Sequence, residues 1–196
     1  PVGACVCVPR VIAAGGMHGC ADLVLWQPPT RGTIVPDEFI PLAEESDLIL
    51  QIGEWVLRSV CMQAVQWQQP YKVAVNLSGM QFVHTDIALI VANVLEETGL
   101  PPKRLELELT ESTIIAGQAR TLQVLRQIKD MGVSLALDDF GTGYSSLDTL
   151  RRFPFDLIKI DRSLFGAAQS SLHTQAVARA VPALGQAFDI PVTAVG

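Results

Sequence analysis

The sequence predicts an α/β chain folded as a parallel (β/α) barrel of the TIM type, and three observations lead there. Short apolar runs alternate with longer segments of helical periodicity. Strands separated by helices pair in parallel through right-handed crossovers. Each central run also has one bulky face and one small or polar face that ends in a functional group. An open sheet covered by helices on both sides would place large apolar residues on both faces. A barrel with a narrow interior and a functional C-terminal rim would not.

The elements follow in order. The strand runs are LVLW at 23–26, KVAVNLS at 72–78, RLELELTES at 104–112, VSLALDDF at 133–140, FDLIKIDRS at 155–163 and IPVTAVG at 190–196. Helical patterns cover 41–68, 84–98, 118–131 and 169–188, with Gly99, Gly132 and Gly185 at or near their ends. In LELEL, Leu105, Leu107 and Leu109 share a face opposite Glu106 and Glu108. Val133, Leu135 and Leu137 likewise oppose Ser134, Ala136 and Asp138, and Val73, Val75 and Leu77 oppose Ala74, Asn76 and Ser78.

Composition narrows the function classes. The chain has 196 residues, is 49% hydrophobic and is 17% charged, which suits one globular domain with a substantial core. A net charge of -6 gives no general basic footprint, so no nucleic-acid polymer is expected as partner. No apolar run reads as a membrane-spanning segment, and the opening residues lack the pattern of a signal peptide. Cys5, Cys7, Cys20 and Cys61 lack zinc-site spacing, so the expectation is reduced thiols in a cytoplasmic protein.

The small-face residues at successive strand ends form a constellation: Asn76, Glu108, Asp138 with Asp139, and Lys159. Three carboxylates and an amide oxygen are hard donors, suited to Mg2+ or Mn2+. Asp138 beside Asp139 could flank two ions and activate a water against a phosphodiester, with Lys159 balancing charge or orienting that water. Any one of these residues alone would more often be a cap or a surface charge, and their shared parity is what singles them out. Asp139-Phe140-Gly141 copies a kinase tripeptide without the other kinase motifs, and Gly141-Thr142-Gly143 is too short for a dinucleotide fingerprint.

Residues 26–194 resemble the EAL domain family in five motifs in order: WQPPTRGTIVPDEFIPLAEESDLI, VAVNLS, LELELTES, LALDDFGTGYSSLDTL and FPFDLIKIDRS. The resemblance implies a (β/α)8 barrel with an irregular first strand, two divalent ions, and hydrolysis of cyclic di-GMP to linear pGpG in the bacterial cytoplasm. It makes Asn76, Glu108, Asp138 and Asp139 metal ligands, and Lys159 the lysine that positions the attacking water. Glu111 becomes the anchor of loop 139–146, which the family uses for metal binding and dimer contacts. GGDEF or sensory domains often accompany the family.

Departures from the family pattern set further expectations. Ala21-Asp22-Leu23-Val24-Leu25 stands where the family has Glu-Ala-Leu followed two residues later by Arg, so Ala21 replaces a metal-binding glutamate and Leu25 a phosphate-contacting arginine. Asp22 is no substitute, because a one-residue shift changes the face of a strand. Val195 replaces another acidic ligand. The partition expected is an atypical N-terminal segment at 1–20 and a truncated EAL domain at 21–196, its barrel incomplete with the last strand missing. The expected function is an impaired or inactive phosphodiesterase domain. The alternatives are a module that binds cyclic di-GMP or a protein partner without catalysis, and an incomplete fragment without function.

Overall fold

The computed structural model describes residues 3–11, 17–28, 30, 32–115, 118–140, 147–161 and 172–195. Their sheet has seven strands in sequence order. Strands β1 (Gly3–Val11) and β2 (Met17–Trp26) form an antiparallel hairpin in which Gly3 pairs with Trp26. From β2 onward every ladder is parallel, through β3 (Lys72–Asn76), β4 (Leu105–Thr110), β5 (Ser134–Asp138), β6 (Leu157–Asp161) and β7 (Val192–Val195). Among the described residues β1 and β7 are the edges of the sheet, so the parallel strands form an incomplete TIM-type barrel.

Local chemistry sets the helix boundaries. The pattern at 41–68 is two helices, α1 (Pro36–Glu45) and α2 (Leu48–Val65), because Asp47 adopts a left-handed φ of 57° between them. A short helix α3 (Gly79–His84), unforeseen in the sequence, starts from a capping box at Ser78. Ser78 Oγ accepts the Met80 N–H at 3.2 Å, and Gln81 Oε1 accepts the Ser78 N–H at 3.0 Å. The Asp86 side chain caps α4 (Ile87–Thr98), which ends at Gly99 with φ 70°. Three further helices follow the next strands: α5 (Glu111–Ile115), α6 (Gln118–Asp130) and α7 (Leu147–Arg152). Helix α8 (Leu172–Phe188) precedes β7.

The bulky strand faces lie beneath these helices. Val73, Val75, Leu105, Leu107, Leu109, Leu135, Leu137, Ile158 and Ile160 share one apolar cluster with Val91 and Val94 of α4 and Leu125 and Ile128 of α6. Helix α2 is, among the described residues, the one helix long and apolar enough to cross a membrane. Here it buries Val56, Leu57, Val60 and Ala64 in that same cluster.

Two features differ from the sequence expectations. The N-terminal residues contribute a full strand, because β1 folds back on β2 in a hairpin, for which the paired glycines Gly15 and Gly16 between the two strands were the sequence signal. Cys20 is disulfide-bonded, which overturns the expectation of reduced thiols for that residue. The hairpin lays a strand carrying Cys5 and Cys7 beside the one carrying Cys20, a proximity that sequence spacing does not reveal.

Cys61 is a buried thiol, and desolvation pushes its pKa up to about 12. At pH 8 iodoacetamide should therefore leave Cys61 unmodified in the folded protein and modify it in urea, as read by peptide mapping. Above the usual thiol pKa of about 8.5 the unfolded chain loses a proton that the folded chain keeps. This group should then lower stability by about 1.4 kcal/mol per pH unit as the solution becomes more alkaline.

Gly185 in α8 supports the last strand by close approach. A Cβ there would lie 2.3 Å from Val192 Cγ2 and 2.7 Å from the Ile190 carbonyl oxygen. Alanine gains up to about 1 kcal/mol in helix propensity, but the overlap involves backbone and costs about 1–3 kcal/mol. Urea denaturation of Gly185→Ala should show net destabilisation.

Candidate functional site at the strand C-termini

The parallel registers bring the predicted residues to one rim. Asn76 pairs with Glu108 in the β3–β4 ladder. Glu108 pairs with Ala136 of β5, and Ala136 with Leu157 of β6, two residues before Lys159. Thr110 pairs with Asp138, the last residue of β5. Four strands thus place Asn76, Glu108, Asp138 and Lys159 on one inward-facing set of positions, as parity requires.

Burial separates these side chains into two groups. Glu108 and Lys159 form an ion pair with each side chain 3% exposed. Asn76 is exposed, Asp138 is half-buried and Asp139 is exposed. Asp139 holds a left-handed φ of 54°, and its N–H donates to Asp138 Oδ1 at 3.0 Å. The Phe140 N–H donates to the Lys159 carbonyl oxygen at 3.1 Å, so the chain leaving β5 is tied to β6. Glu111 is buried at the first position of α5. Residues 141–146, which include most of the loop it was expected to anchor, lie outside the described residues.

The positions of the family departures are fixed by backbone pairing. Ala21 pairs with Ala74, two residues before Asn76. Val195 pairs with Asp161, two residues beyond the Lys159–Thr193 pair. Leu25 is half-buried near the end of β2.

Oxygen donors of this kind suit a hard divalent cation. Their arrangement does not enclose one: among the described residues no three Asp, Glu, His or Cys side chains are gathered to hold an ion. Glu108 is engaged by Lys159. The retained donors therefore fit a metal in kind but not in number.

Beside this rim lies a cleft of about 1220 Å³, bordered by Asn76, Ser78, Gln81, Thr110 and the α1 and α2 residues Glu44 and Ile52. Its size is ample for a small-molecule ligand, for which ~300–1,000 Å³ is usual. Ser78 Oγ donates to Glu44 Oε1 at 2.6 Å, which joins α1 to the end of β3. The sequence reading passed over Glu44 and Ser78. The signal was the Ser-x-x-Gln box at 78–81, which marks Ser78 as a helix cap beside Asn76.

Comparisons with known proteins converge on one family. The EAL domain family model matches residues 8–196. The bifunctional diguanylate cyclase/cyclic di-GMP phosphodiesterase MucR of Pseudomonas aeruginosa is 41% identical over 193 residues, which cover 96% of this chain and 28% of that protein. The cyclic di-GMP phosphodiesterase PdeR of Escherichia coli is 38% identical over 191 residues, covering 96% of this chain and 29% of that protein. An uncharacterized signaling protein of Caulobacter vibrioides is 48% identical over 184 residues, 94% of this chain and 23% of that protein. The chain thus spans about a quarter of the length of these relatives. Among solved structures, the PaMucR phosphodiesterase in complex with c-di-GMP superimposes with a TM-score of 0.92 at 40% identity, covering 98% of this chain and 80% of that one. The EAL domain of Mycobacterium smegmatis DcpA gives a TM-score of 0.75 at 32% identity, with 97% and 80% covered.

The buried ion pair yields a prediction. Lys159→Met removes the cation that meets Glu108 and should destabilise the fold by about 3 kcal/mol. Adding Glu108→Gln should recover a large part of that loss. A double-mutant cycle in urea measures both, and additive losses would refute a direct coupling.

Proposed function

The chain belongs to the EAL domain family, and from that premise we propose that its strand-end rim is a cyclic di-GMP phosphodiesterase site in which hydrolysis is impaired. One observation carries the proposal. Ala21 occupies the β2 position paired with Ala74, on the row leading to Asn76, where the family places a metal-binding glutamate.

The family implies dependence on a divalent metal. Such ions, Mg2+ or Mn2+ on this donor chemistry, stabilise charge on a phosphoryl group and ionise a bound water. Asn76, Glu108, Asp138 and Asp139 are the donors retained for that purpose. Ala21 and Val195 each take one acidic ligand out of the set, and Lys159 is ion-paired with Glu108. Charge stabilisation is the main contribution to catalysis of this kind, so the missing carboxylates act on the chemical step.

Ligand capture has different support. The cleft beside Asn76 has room for a cyclic dinucleotide, and Ser78 and Glu44 hold its floor in place. Leu25 stands where the family carries a phosphate-contacting arginine, which weakens capture of the phosphates without closing the cleft. The resemblance also supports a homodimer and a GGDEF or sensory domain in a longer protein of this kind, and MucR is named as a diguanylate cyclase as well as a phosphodiesterase.

The test is formation of linear pGpG from cyclic di-GMP, compared with an Ala21→Glu, Leu25→Arg and Val195→Glu triple variant. The triple variant should be faster by at least about 100-fold, and equal rates would overturn the impairment. Calorimetric titration of cyclic di-GMP, in magnesium and in chelator, should show saturable heat. Absence of heat in both would remove recognition of this ligand.

A further inference from the structure

On the outer face of the barrel, α6 and α7 border a second cleft, of about 440 Å³, lined by Leu122, Arg126, Arg151 and Arg152. It shares no lining residue with the cleft beside Asn76. All three arginines are exposed. Arg152 already has a partner, whereas among the described residues Arg126 and Arg151 have no ion-pair or hydrogen-bond partner.

Three cations around one cavity run against the chain as a whole, which has 14 Lys and Arg against 20 Asp and Glu. Helix-end electrostatics explain Arg151 and Arg152, which lie in the last turn of α7. They do not explain Arg126, which comes from another helix. The same helix shows what happens when a carboxylate is within reach, since Lys129 of α6 is paired with Asp156 at 2.6 Å. At Arg126 and Arg151 that role is left to something from solution.

We propose that this cleft binds a phosphate group. Guanidinium forks donate paired hydrogen bonds to the oxygens of phosphate and carboxylate alike. Two unpaired guanidinium forks, Arg126 and Arg151, favour the doubly charged member of that class, a phosphate monoester or inorganic phosphate, which carries about -1.5 to -2 at neutral pH and three strong acceptor oxygens. Leu122, half-buried and packed on the core, forms an apolar wall beside the charged groups. The site does not depend on the function assigned to the strand-end rim.

The test follows the side-chain Nε–H signals of Arg126 and Arg151 by NMR. The intact chain is titrated with sodium phosphate and, in a separate arm, with a nucleoside 5′-monophosphate, each at ionic strength held constant with chloride. Saturable shifts at both arginines support the site. So does weakening by about tenfold or more in Arg126→Gln/Arg151→Gln, with unchanged far-UV circular dichroism. Tighter binding of the monophosphate nucleoside identifies a nucleotide as the source, and equal binding identifies the phosphate alone. Shifts that never saturate, or an affinity unchanged in the double variant, would overturn the proposal.

Discussion

A carboxylate and an ammonium share the interior of this barrel, and each is there because the other is. Moving either ion alone out of water costs several kcal/mol, so Glu108 and Lys159, both 3% exposed, stand or fall together. They come from β4 and β6, with β5 between them. The ladders show how they meet. Ala136 is the β5 residue paired with Glu108, and its small, fully buried side chain leaves Lys159 room to reach across. A larger residue at 136 would force the lysine outward and strand the glutamate. At the N-terminal end of the same strands, Lys72 Nζ donates to Ser134 Oγ at 2.8 Å, again from one strand to the next but one.

This pairing bears on the chemistry of the rim. A metal centre of hard donors concentrates negative charge and relies on the ion to offset it. On the EAL resemblance, alanine and valine stand at two positions where the family would place carboxylates, and the structure couples Glu108 to Lys159. A rim with fewer carboxylates would hold a divalent cation less firmly, which is the physical basis of the impairment proposed above.

How much of this was legible in the sequence depended on the kind of order involved. The strands from β3 to β7 were visible because alternation in LELEL or SLALD is local and has a period of two. The same alternation put Asn76, Glu108, Asp138 and Lys159 on one set of faces, and the registers bear that out. The boundary between α1 and α2 was not visible, since Asp47 carries no signature of a left-handed conformation beyond its being an aspartate. The β1–β2 hairpin had only Gly15 and Gly16 to mark it, and its pairing depends on residues up to 23 apart, Gly3 with Trp26. The Cys20 disulfide was not visible either, because cysteine spacing alone gives no sign of it. The contact of Ser78 with Glu44 is tertiary, and the cap at Ser78 could be read from sequence only as a local feature.

The overall charge of the chain, -6, is a poor guide to what it can hold, because anions are met locally. Inside the barrel, Lys159 is committed to Glu108 and therefore offers little to an incoming phosphate. Outside, Arg126 and Arg151 are uncommitted and border an open cleft. Attraction between exposed charges fades over about 8 Å at physiological salt, so the acidic balance elsewhere on the surface does not cancel the arginines at contact range. Burial has the opposite effect on the interior lysine, whose field is weakly screened but already spent on one partner. Position relative to water, more than the count of basic residues, therefore decides where this fold can take up a phosphate.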